Sequence, residues 1–453
     1  MSMKADVYDL IVIGAGPGGY VSAIRAAQNG MKVLIAEKNR IGGTCLNCGC
    51  IPTKAFLYAS KLYKSINGML SWGIDAVSED INIKQVLDKT DAIINNLREG
   101  IETLLKQNGV TVIYGEAKII ESGCVSINGE KYLTENILIA VGAIPQIPNI
   151  SGVDLPAVFT SDQLLRSKDF YNELLILGGG VIGIEFASIY SSFGSKITIV
   201  ESMDRLLPQM DEEFSRYLSA IFRKKGIEVI TNSQLSSITV NNGKLNYYIN
   251  GKNELSNADA VLLAIGRKPN TKNLFASNIS VDMNNARIVT DDRFQTSIKG
   301  IYAVGDACSA VQLANYASAQ GIAFADYIAK KNSETDLSVV PWCIFTDPEI
   351  ASVGLTETSA KYKGHRVKIG KFNMASNGKS IITSEEKGFI KLVFDYDNET
   401  LLGAQLMCGN ATDIIDEFTL AITNKLTRRD ILKNIRPHPS FVEGIFDAIE
   451  SVN

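Results

Sequence analysis

The sequence has little excess charge of either sign, few histidines, no long apolar run and no cysteine framework, and each shortage excludes a class of protein. Acidic residues number 49 and basic residues 45, leaving a net charge of −4. That balance offers no basic footprint for nucleic acid or for an anionic membrane surface. No stretch approaches the ~18 apolar residues of a membrane-spanning helix. The start, Met1-Ser-Met-Lys-Ala, has neither the apolar core nor the cleavage site of a secretory signal. A cytoplasmic protein is expected, or an organelle-matrix protein whose transit peptide has been removed. Seven cysteines, an odd number in 453 residues, do not make the disulfide framework of a small secreted domain. Two histidines, His365 and His438, and no second cysteine pair leave a closed four-ligand zinc site short of ligands. With 45% hydrophobic and 21% charged residues the chain is not disordered. At roughly 150 residues per domain its length suggests about three domains.

What is present, first, is an internal repeat. Tyr8-Asp-Leu-Ile-Val-Ile-Gly14-Ala-Gly16-Pro-Gly-Gly19 reads as a buried strand entering a glycine turn, followed by a helix over 20–29 and a strand over 32–37 that ends in Glu37. Leu174-Leu-Ile-Leu-Gly178-Gly-Gly180-Val-Ile-Gly183 repeats the pattern, with a strand over 196–201 that ends in Glu201. Gly14 and Gly178, Gly16 and Gly180, Gly19 and Gly183, and Glu37 and Glu201 are all 164 residues apart. In a strand–GxGxxG–helix unit the first glycine makes the tight turn, the second admits a pyrophosphate, and the third lets helix and strand pack closely. The helix N-terminus faces the phosphates. The acid, here 18 residues past each third glycine, accepts hydrogen bonds from an adenosine ribose. One such motif alone is a weak signal. Two in register predict two Rossmann-like dinucleotide-binding domains, one for a bound flavin, FAD, and one for a diffusible nicotinamide. Glu201 would repel a 2′-phosphate, and Ser202, Met203 and Asp204 supply no arginine, so NAD rather than NADP is expected.

Ile137-Leu-Ile-Ala140-Val-Gly142 and Val261-Leu-Leu-Ala264-Ile-Gly266 close the two repeats, and Pro145 and Pro269 follow as the expected crossing points between domains. Gly300-Ile-Tyr-Ala-Val-Gly305-Asp306 is a further buried strand, followed by an alanine-rich helix over 312–329 and a polar connection over 330–338. Asp306 is placed either to bond a ribityl hydroxyl or simply to cap a helix. The remainder changes character, with strands over 388–395 and 401–407 and helices over 413–423 and 428–435. The expected architecture is α/β: an FAD-binding domain over 1–145, an NAD-binding domain over 146–267, a return to the central FAD-binding unit over 268–337, and a C-terminal α+β interface domain over 338–453.

Three cysteines fall within six positions, in Ile41-Gly42-Gly43-Thr44-Cys45-Leu-Asn-Cys48-Gly49-Cys50-Ile-Pro52-Thr53-Lys54. In a reducing compartment such a cluster points to redox chemistry or metal. Three pairings are open: Cys45 with Cys48, Cys48 with Cys50, and Cys45 with Cys50. In a regular helix five residues rise about 7.5 Å, beyond the ~4.4–6.8 Å Cα separation of a disulfide. A Cys45–Cys50 bridge therefore needs a distorted backbone, which Gly49 permits. Pro52 is placed to start a helix, near whose N-terminus a Cys50 thiolate is stabilised. Deprotonating a dithiol near neutral pH calls for an imidazole. Of the two, His438 has Glu443 five residues on to fix its tautomer; a surface histidine in a proline-rich turn is the alternative. His365, in a charged stretch, is expected to stay in solvent.

Gly42-Gly-Thr-Cys45 through Cys50-Ile-Pro-Thr-Lys54 resembles the active-site motif of the flavin-dependent disulfide reductases, the class I pyridine nucleotide-disulfide oxidoreductases. The resemblance covers nearly the whole chain. It includes the second repeat, Thr296 to Asp306, Phe345-Thr-Asp-Pro-Glu349 and His438-Pro-Ser-Phe-Val-Glu443. Motif order is most like that of the branch oxidising dihydrolipoamide. The resemblance implies a Cys45–Cys50 redox disulfide, with Cys50 against the flavin and Cys45 exchanging with substrate sulfur. It implies His438 as acid–base group oriented by Glu443, and a Lys54–Glu185 ion pair beside the flavin. Gly115, Ala140, Gly142 and Ala314 are implied at the FAD site and Gly266 at the nicotinamide. The implied partners are a second copy of the chain, whose cysteines His438 serves, and the lipoyl domains of 2-oxo acid dehydrogenase or glycine cleavage complexes. Departures are the extra thiol of Cys48, Val141 for a usual Thr, and Ser-Phe-Val between Pro439 and Glu443. A glutathione-type reductase is disfavoured by Glu201. A mercuric reductase is disfavoured because no cysteine follows Cys408. A silent flavoprotein scaffold or redox sensor is disfavoured by the intact Cys45, Cys50, His438 and Glu443.

Overall fold

Alternating strands and helices in the first part of the chain become two sheets with parallel centres, the first extended by the antiparallel strands 124–127 and 117–121, and the strand-rich remainder becomes an antiparallel sheet. The computed structural model describes residues 7–76, 80–241, 243–250, 256–385 and 388–452. The first six residues, on which the reading of the N-terminus rests, lie outside the described residues. In the first sheet β1 (Val7–Ile13) lies between β2 (Val33–Glu37) and the strand Glu130–Ile139. Ile11 stands level with Leu34 on one side and Ile137 on the other, both pairings parallel. Ile301–Ala303 joins the same sheet against Glu130–Ile139. Both faces are covered, which is why these strands are nearly unbroken apolar runs. Leu10, Val12 and Ile35 pack with Phe324 on one face, and Ile11, Ile13 and Leu34 with Ile119 and Val125 on the other.

Helix α1 (Pro17–Gln28) starts three residues before the sequence expectation. Pro17 suits a first helical position, where no N–H is needed and its φ is already helical. The helix Ala314–Ile328 crosses α1 very closely: a Cβ on Gly321 would stand 2.6 Å from Ser22 Oγ and 2.8 Å from the Gly18 carbonyl oxygen. Asp326 accepts two bonds from Arg25, at 2.7 and 3.0 Å, and fixes the crossing. This brings Ala317 against Gly18 of the first glycine turn.

The second sheet runs in the order 228–230, 196–200, 173–177, 260–263, 158–160, all parallel, with Ile176 level with Ile199 and Leu262. Ala143–Pro145 and Arg267–Pro269 pair as a two-stranded ribbon between the two units, at the prolines expected to be crossing points. The C-terminal sheet is antiparallel, in the order 342–344, 349–354, 401–408, 389–395, 367–373. Helices Ala411–Thr423 and Glu443–Glu450 cover one face, with Phe418 and Ile445 against Leu392 and Leu406. The opposite face rests on the second unit, where Phe389 stacks on Phe214 with ring centroids 5.3 Å apart. The strand Phe389–Asp395 is therefore buried along almost its whole length. The helix expected over 428–435 stops at Leu432. Among the described residues no helix is long and apolar enough to cross a membrane.

Candidate active site

Each glycine turn is forced by contact distances. Gly14 (φ +99°) and Gly178 (φ +111°) lie where L side chains rarely go, and a Cβ there would stand 2.5 and 2.4 Å from the carbonyl oxygens of Ala140 and Ala264. A Cβ on Gly19 or Gly183 would stand 1.9 or 2.0 Å from the carbonyl oxygen of Gly14 or Gly178. The middle glycines differ. A Cβ on Gly16 would meet nothing nearer than Gly43 Cα at 3.8 Å, and one on Gly180 nothing within 4 Å. Open space thus faces two helix N-termini that carry no side-chain cap. Their free N–H groups and positive dipole fit a pyrophosphate.

The two acids are each tied to their own glycine turn. Glu37 Oε2 accepts from the Ala15 N–H at 2.8 Å and Oε1 from the Asn39 N–H at 2.7 Å. Glu201 Oε2 accepts from the Gly179 N–H at 2.6 Å and Oε1 from the Met203 N–H at 2.7 Å. The donors repeat at the same 164-residue offset as the glycines. Each buried carboxylate therefore ties its glycine turn to the end of the second strand.

Both turns open into one cavity of about 1790 Å³, larger than the ~300–1,000 Å³ of a single small-molecule pocket. Gly115, Ala140, Gly142, Gly266, Asp306 and Ala314 are in its wall. Gly19 and Gly183 are not, and they act only through helix–strand packing. Asp306 sits within the turn Gly305–Ala307, whose capping position belongs to Val304. The helix-cap alternative for Asp306 is thereby excluded. Burial pushes its carboxyl pKa up, against the pull of the Arg267 guanidinium.

The cysteines lie on α2 (Gly43–Cys48) and α3 (Cys50–Met69), separated by Gly49 at φ −131°, ψ −108°. The helix expected to open at Pro52 opens two residues earlier, at the break itself. A Cβ on Gly49 would stand 3.0 Å from the Thr44 carbonyl oxygen and 3.4 Å from Cys45 Cα. The chain folds back there, and the Cys45 and Cys50 thiols hydrogen-bond to one another. Gly43 (φ +60°) lets α2 start against the first turn, for a Cβ on it would stand 2.6 Å from Gly16 Cα. Cys48 turns elsewhere: its thiol donates to Asp162 Oδ2 at 3.6 Å, and Arg267 holds the other carboxylate oxygen at 3.4 Å. Burial, then the Asp162 charge, pushes the Cys48 thiol up to about 11. Of the three pairings, only Cys45 with Cys50 has its sulfurs together. The hydrogen bond from Cys45, helped by Lys54 and opposed by burial, brings Cys50 down to about 7. The same bond, with burial, raises Cys45. Of the reduced pair, Cys50 is the thiol that ionises first and Cys45 the one that keeps its proton.

Lys54 lies one turn along α3, its Nζ 3.0 Å from both oxygens of Glu185. Glu185 is 3% exposed and also accepts from the Phe345 N–H at 3.0 Å. The Phe345 ring lies 4.7 Å from the Lys54 ammonium. Phe345 is legible in the sequence only as part of a resembling motif; no local pattern marks its N–H as the third support of this ion pair. Arg267 and Asp162 escape sequence reasoning altogether, since nothing in their surroundings links them to Cys48.

His438 Nδ1 is 2.7 Å from Glu443 Oε1, and Glu443 Oε2 accepts from the Ser440 N–H at 2.9 Å. The His438 bond and that N–H hold the Glu443 carboxyl below its ordinary pKa. The pair is made as expected, but the His438 side chain is 81% exposed and outside the cavity wall. A single chain does not bring it to the cysteines. His365, expected in solvent, is half-buried against Asp395, 3.2 Å from its Oδ2.

Residues 8–321 match the family model of the pyridine nucleotide-disulphide oxidoreductases, and residues 340–449 match that family's dimerisation domain. The chain belongs to the pyridine nucleotide-disulphide oxidoreductase family. It is 36% identical over 462 residues to a dihydrolipoyl dehydrogenase of Bacillus subtilis, covering 98% of both chains. It is 36% identical over 455 residues to the dihydrolipoyl dehydrogenase of Geobacillus stearothermophilus, covering 98% of this chain and 95% of the relative. Among solved structures it resembles the HOCl-induced flavoprotein disulfide reductase RclA from Escherichia coli, with a TM-score of 0.89 at 27% identity over 98% of this chain and 99% of that one. Membership makes the chain an oxidoreductase with FAD and NAD(H) as its cofactors.

Proposed function

We propose that the chain oxidises dihydrolipoyl groups and reduces NAD⁺, working as a homodimer. The observation that carries the proposal is the juxtaposition of the Cys45–Cys50 pair, the Lys54–Glu185 ion pair and the Glu201-bearing second turn in one cavity. Residues 1–145 and 268–337 hold FAD, through Gly14, Gly16, Glu37, Gly115, Ala140, Gly142, Asp306 and Ala314. Residues 146–267 hold NAD⁺, through Gly178, Gly180, Glu201 and Gly266. FAD, when bound, supplies the two-electron relay between the cysteine pair and the nicotinamide.

The chain's own residues do the sulfur chemistry. In the oxidised enzyme Cys45 and Cys50 share a disulfide. A dihydrolipoyl thiol gives its proton to His438 of the second subunit and attacks Cys45 Sγ. The Cys45–Cys50 bond breaks, and Cys50 leaves as the thiolate that its surroundings favour. The second lipoyl thiol then displaces Cys45, closing the lipoyl disulfide and leaving Cys45 to take up a proton. Two electrons have passed from substrate to the cysteine pair. Glu443, on Nδ1, holds the imidazole so that Nε2 meets the sulfur. Lys54 favours the Cys50 thiolate, while Glu185 and the Phe345 N–H hold Lys54 in place.

The physiological electron donors are the lipoyl domains of a 2-oxo acid dehydrogenase or glycine cleavage complex. The test is the rate of NAD⁺ reduction by dihydrolipoamide with the purified flavoprotein, with NADP⁺ run beside it. Fast turnover with NAD⁺ alone is expected. A bound flavin that NADH reduces but dihydrolipoamide does not would move the substrate to another disulfide.

A further inference from the structure

The C-terminal sheet sends one lysine into the second dinucleotide unit, and the sulfur chemistry makes no use of it. Lys391, in the strand Phe389–Asp395, is 6% exposed. Its ammonium lies 3.2 Å from Asp211 Oδ2, 3.1 Å from Glu213 Oε1 and 3.3 Å from Glu357 Oε2. The ammonium donates to Asp211 and lies within ion-pair distance of the other two carboxylates. Lys371 and Arg216 also pair with Glu213, and Lys361 with Glu357. Burial works against the Lys391 charge, but Asp211 and Glu213 outweigh it and hold its pKa above the ordinary value.

Asp211 connects this cluster to the second turn. Its Oδ1 caps the helix Glu212–Lys224, accepting from the Glu213 N–H at 3.0 Å. It also closes the loop that leaves Glu201. In that loop the Leu207 N–H donates to the Gly179 carbonyl at 3.0 Å. Leu206 Cδ2 lies 2.5 Å from where a Cβ on Gly179 would sit. Leu207, Pro208, Gln209 and Met210 line the cavity. The loop is one wall of the second dinucleotide cradle, held at one end by the backbone bonds of Glu201 and at the other by Asp211.

We propose, on the reading that the second turn binds NADH, that Lys391 is a positioning residue for that cofactor. From the C-terminal sheet it holds Asp211, and through Asp211 the loop over 202–211, where the dinucleotide needs it. Without the ammonium, Glu213 keeps Lys371 and Arg216, and Glu357 keeps Lys361 and some solvent, but Asp211, 5% exposed, is left buried beside Glu213 without its cation, and like charges repel. The Asp211 end of the loop is then driven outward.

Two variants test this. Lys391→Met keeps the bulk of the stem and removes the charge. Asp211→Asn keeps the cap, which Asn serves as well as Asp, and breaks the ionic link without emptying a buried position. The readout is rapid-mix reduction of the bound flavin by NADH across a range of NADH concentrations, which separates a dissociation constant from a limiting rate. The dissociation constant is expected to rise about three- to thirtyfold in both variants. The limiting rate, the FAD content and flavin reduction by dihydrolipoamide stay at wild-type levels, and Lys391→Arg restores most of the affinity. An unchanged NADH dissociation constant in Asp211→Asn overturns the proposal, whatever Lys391→Met does. So does a parallel fall of FAD content and both half-reactions in Asp211→Asn, which marks a merely structural tie. A wild-type enzyme that dihydrolipoamide does not reduce, with the NADH shift present in the variants, supports the role of Lys391 while sinking the substrate assignment. A wild-type flavin that NADH does not reduce overturns both.

Discussion

At the scale of single residues, the site works by giving three neighbouring thiols three different environments. Cys50 accepts a hydrogen bond from Cys45 and lies near Lys54, so it ionises first. Cys48 donates to a carboxylate and stays protonated. Cys45→Ser or Cys50→Ser should abolish dihydrolipoamide turnover while leaving some NADH oxidase activity, and Cys48→Ser should keep turnover near the wild-type rate; full turnover by either of the first two would remove the redox pair. In the reduced enzyme one thiol should titrate near the 7 of Cys50, its thiolate fraction growing as pH rises. Lys54→Met should move that midpoint upward, because the cation favouring the thiolate is gone and Glu185, which opposes it, stays. The ultraviolet absorbance of the thiolate against pH reads the midpoint, and an unmoved or lowered value would deny Lys54 its electrostatic part.

At the scale of elements, the two strand–turn–helix units are the same device used twice, down to the backbone bonds of Glu37 and Glu201. Their third glycines are interchangeable in geometry but not in consequence. An added methyl on Gly183 overlaps the Gly178 carbonyl and one on Gly19 overlaps that of Gly14, and such overpacking costs about 1–3 kcal/mol. Gly183→Ala should weaken NADH binding about tenfold or more with flavin still bound. Gly19→Ala should instead lower the flavin recovered per chain. Flavin absorbance and an NADH titration on the two purified variants tell these apart; loss of flavin in Gly183→Ala would break the assignment of the two turns.

At the scale of the molecule, Cys45 and Cys50 lie in a cavity between two dinucleotide units, while His438 is on the outside of a third. A heterodimer of Cys50→Ser with His438→Ala chains is the decisive test of dimer action, because each homodimer alone should have little or no activity. If His438 serves the second subunit, one of the two sites in the mixed dimer has both groups intact, and about half the wild-type activity returns. If His438 served its own chain, both sites would lack a group and no activity would return. The His438→Ala homodimer itself should fall roughly 10²- to 10⁴-fold, the usual worth of a positioned acid–base group.

Much of this is legible in the chain itself. Glycine spacing and terminal glutamates mark the two dinucleotide units because backbone approach to a pyrophosphate tolerates so few side chains. The position of Gly49 between two cysteines marks where the helix must break. Pro145 and Pro269 mark the ribbon between the units. Element ends are less legible: the helix at Cys50 begins before Pro52, and the one at Arg428 stops at Leu432. There, capping and packing decide where a helix starts and stops, not composition. Long-range pairing is not legible at all. Asp162 against Cys48, the Phe345 N–H on Glu185, and Asp211 against Lys391 each join residues more than 100 positions apart. Local chemistry and its spacing therefore determined what kind of reaction this chain supports. Which thiols meet, what holds the ion pair still and how the third unit grips the second were decided only by tertiary packing, because burial and charge pairing depend on neighbours that the linear order does not bring together.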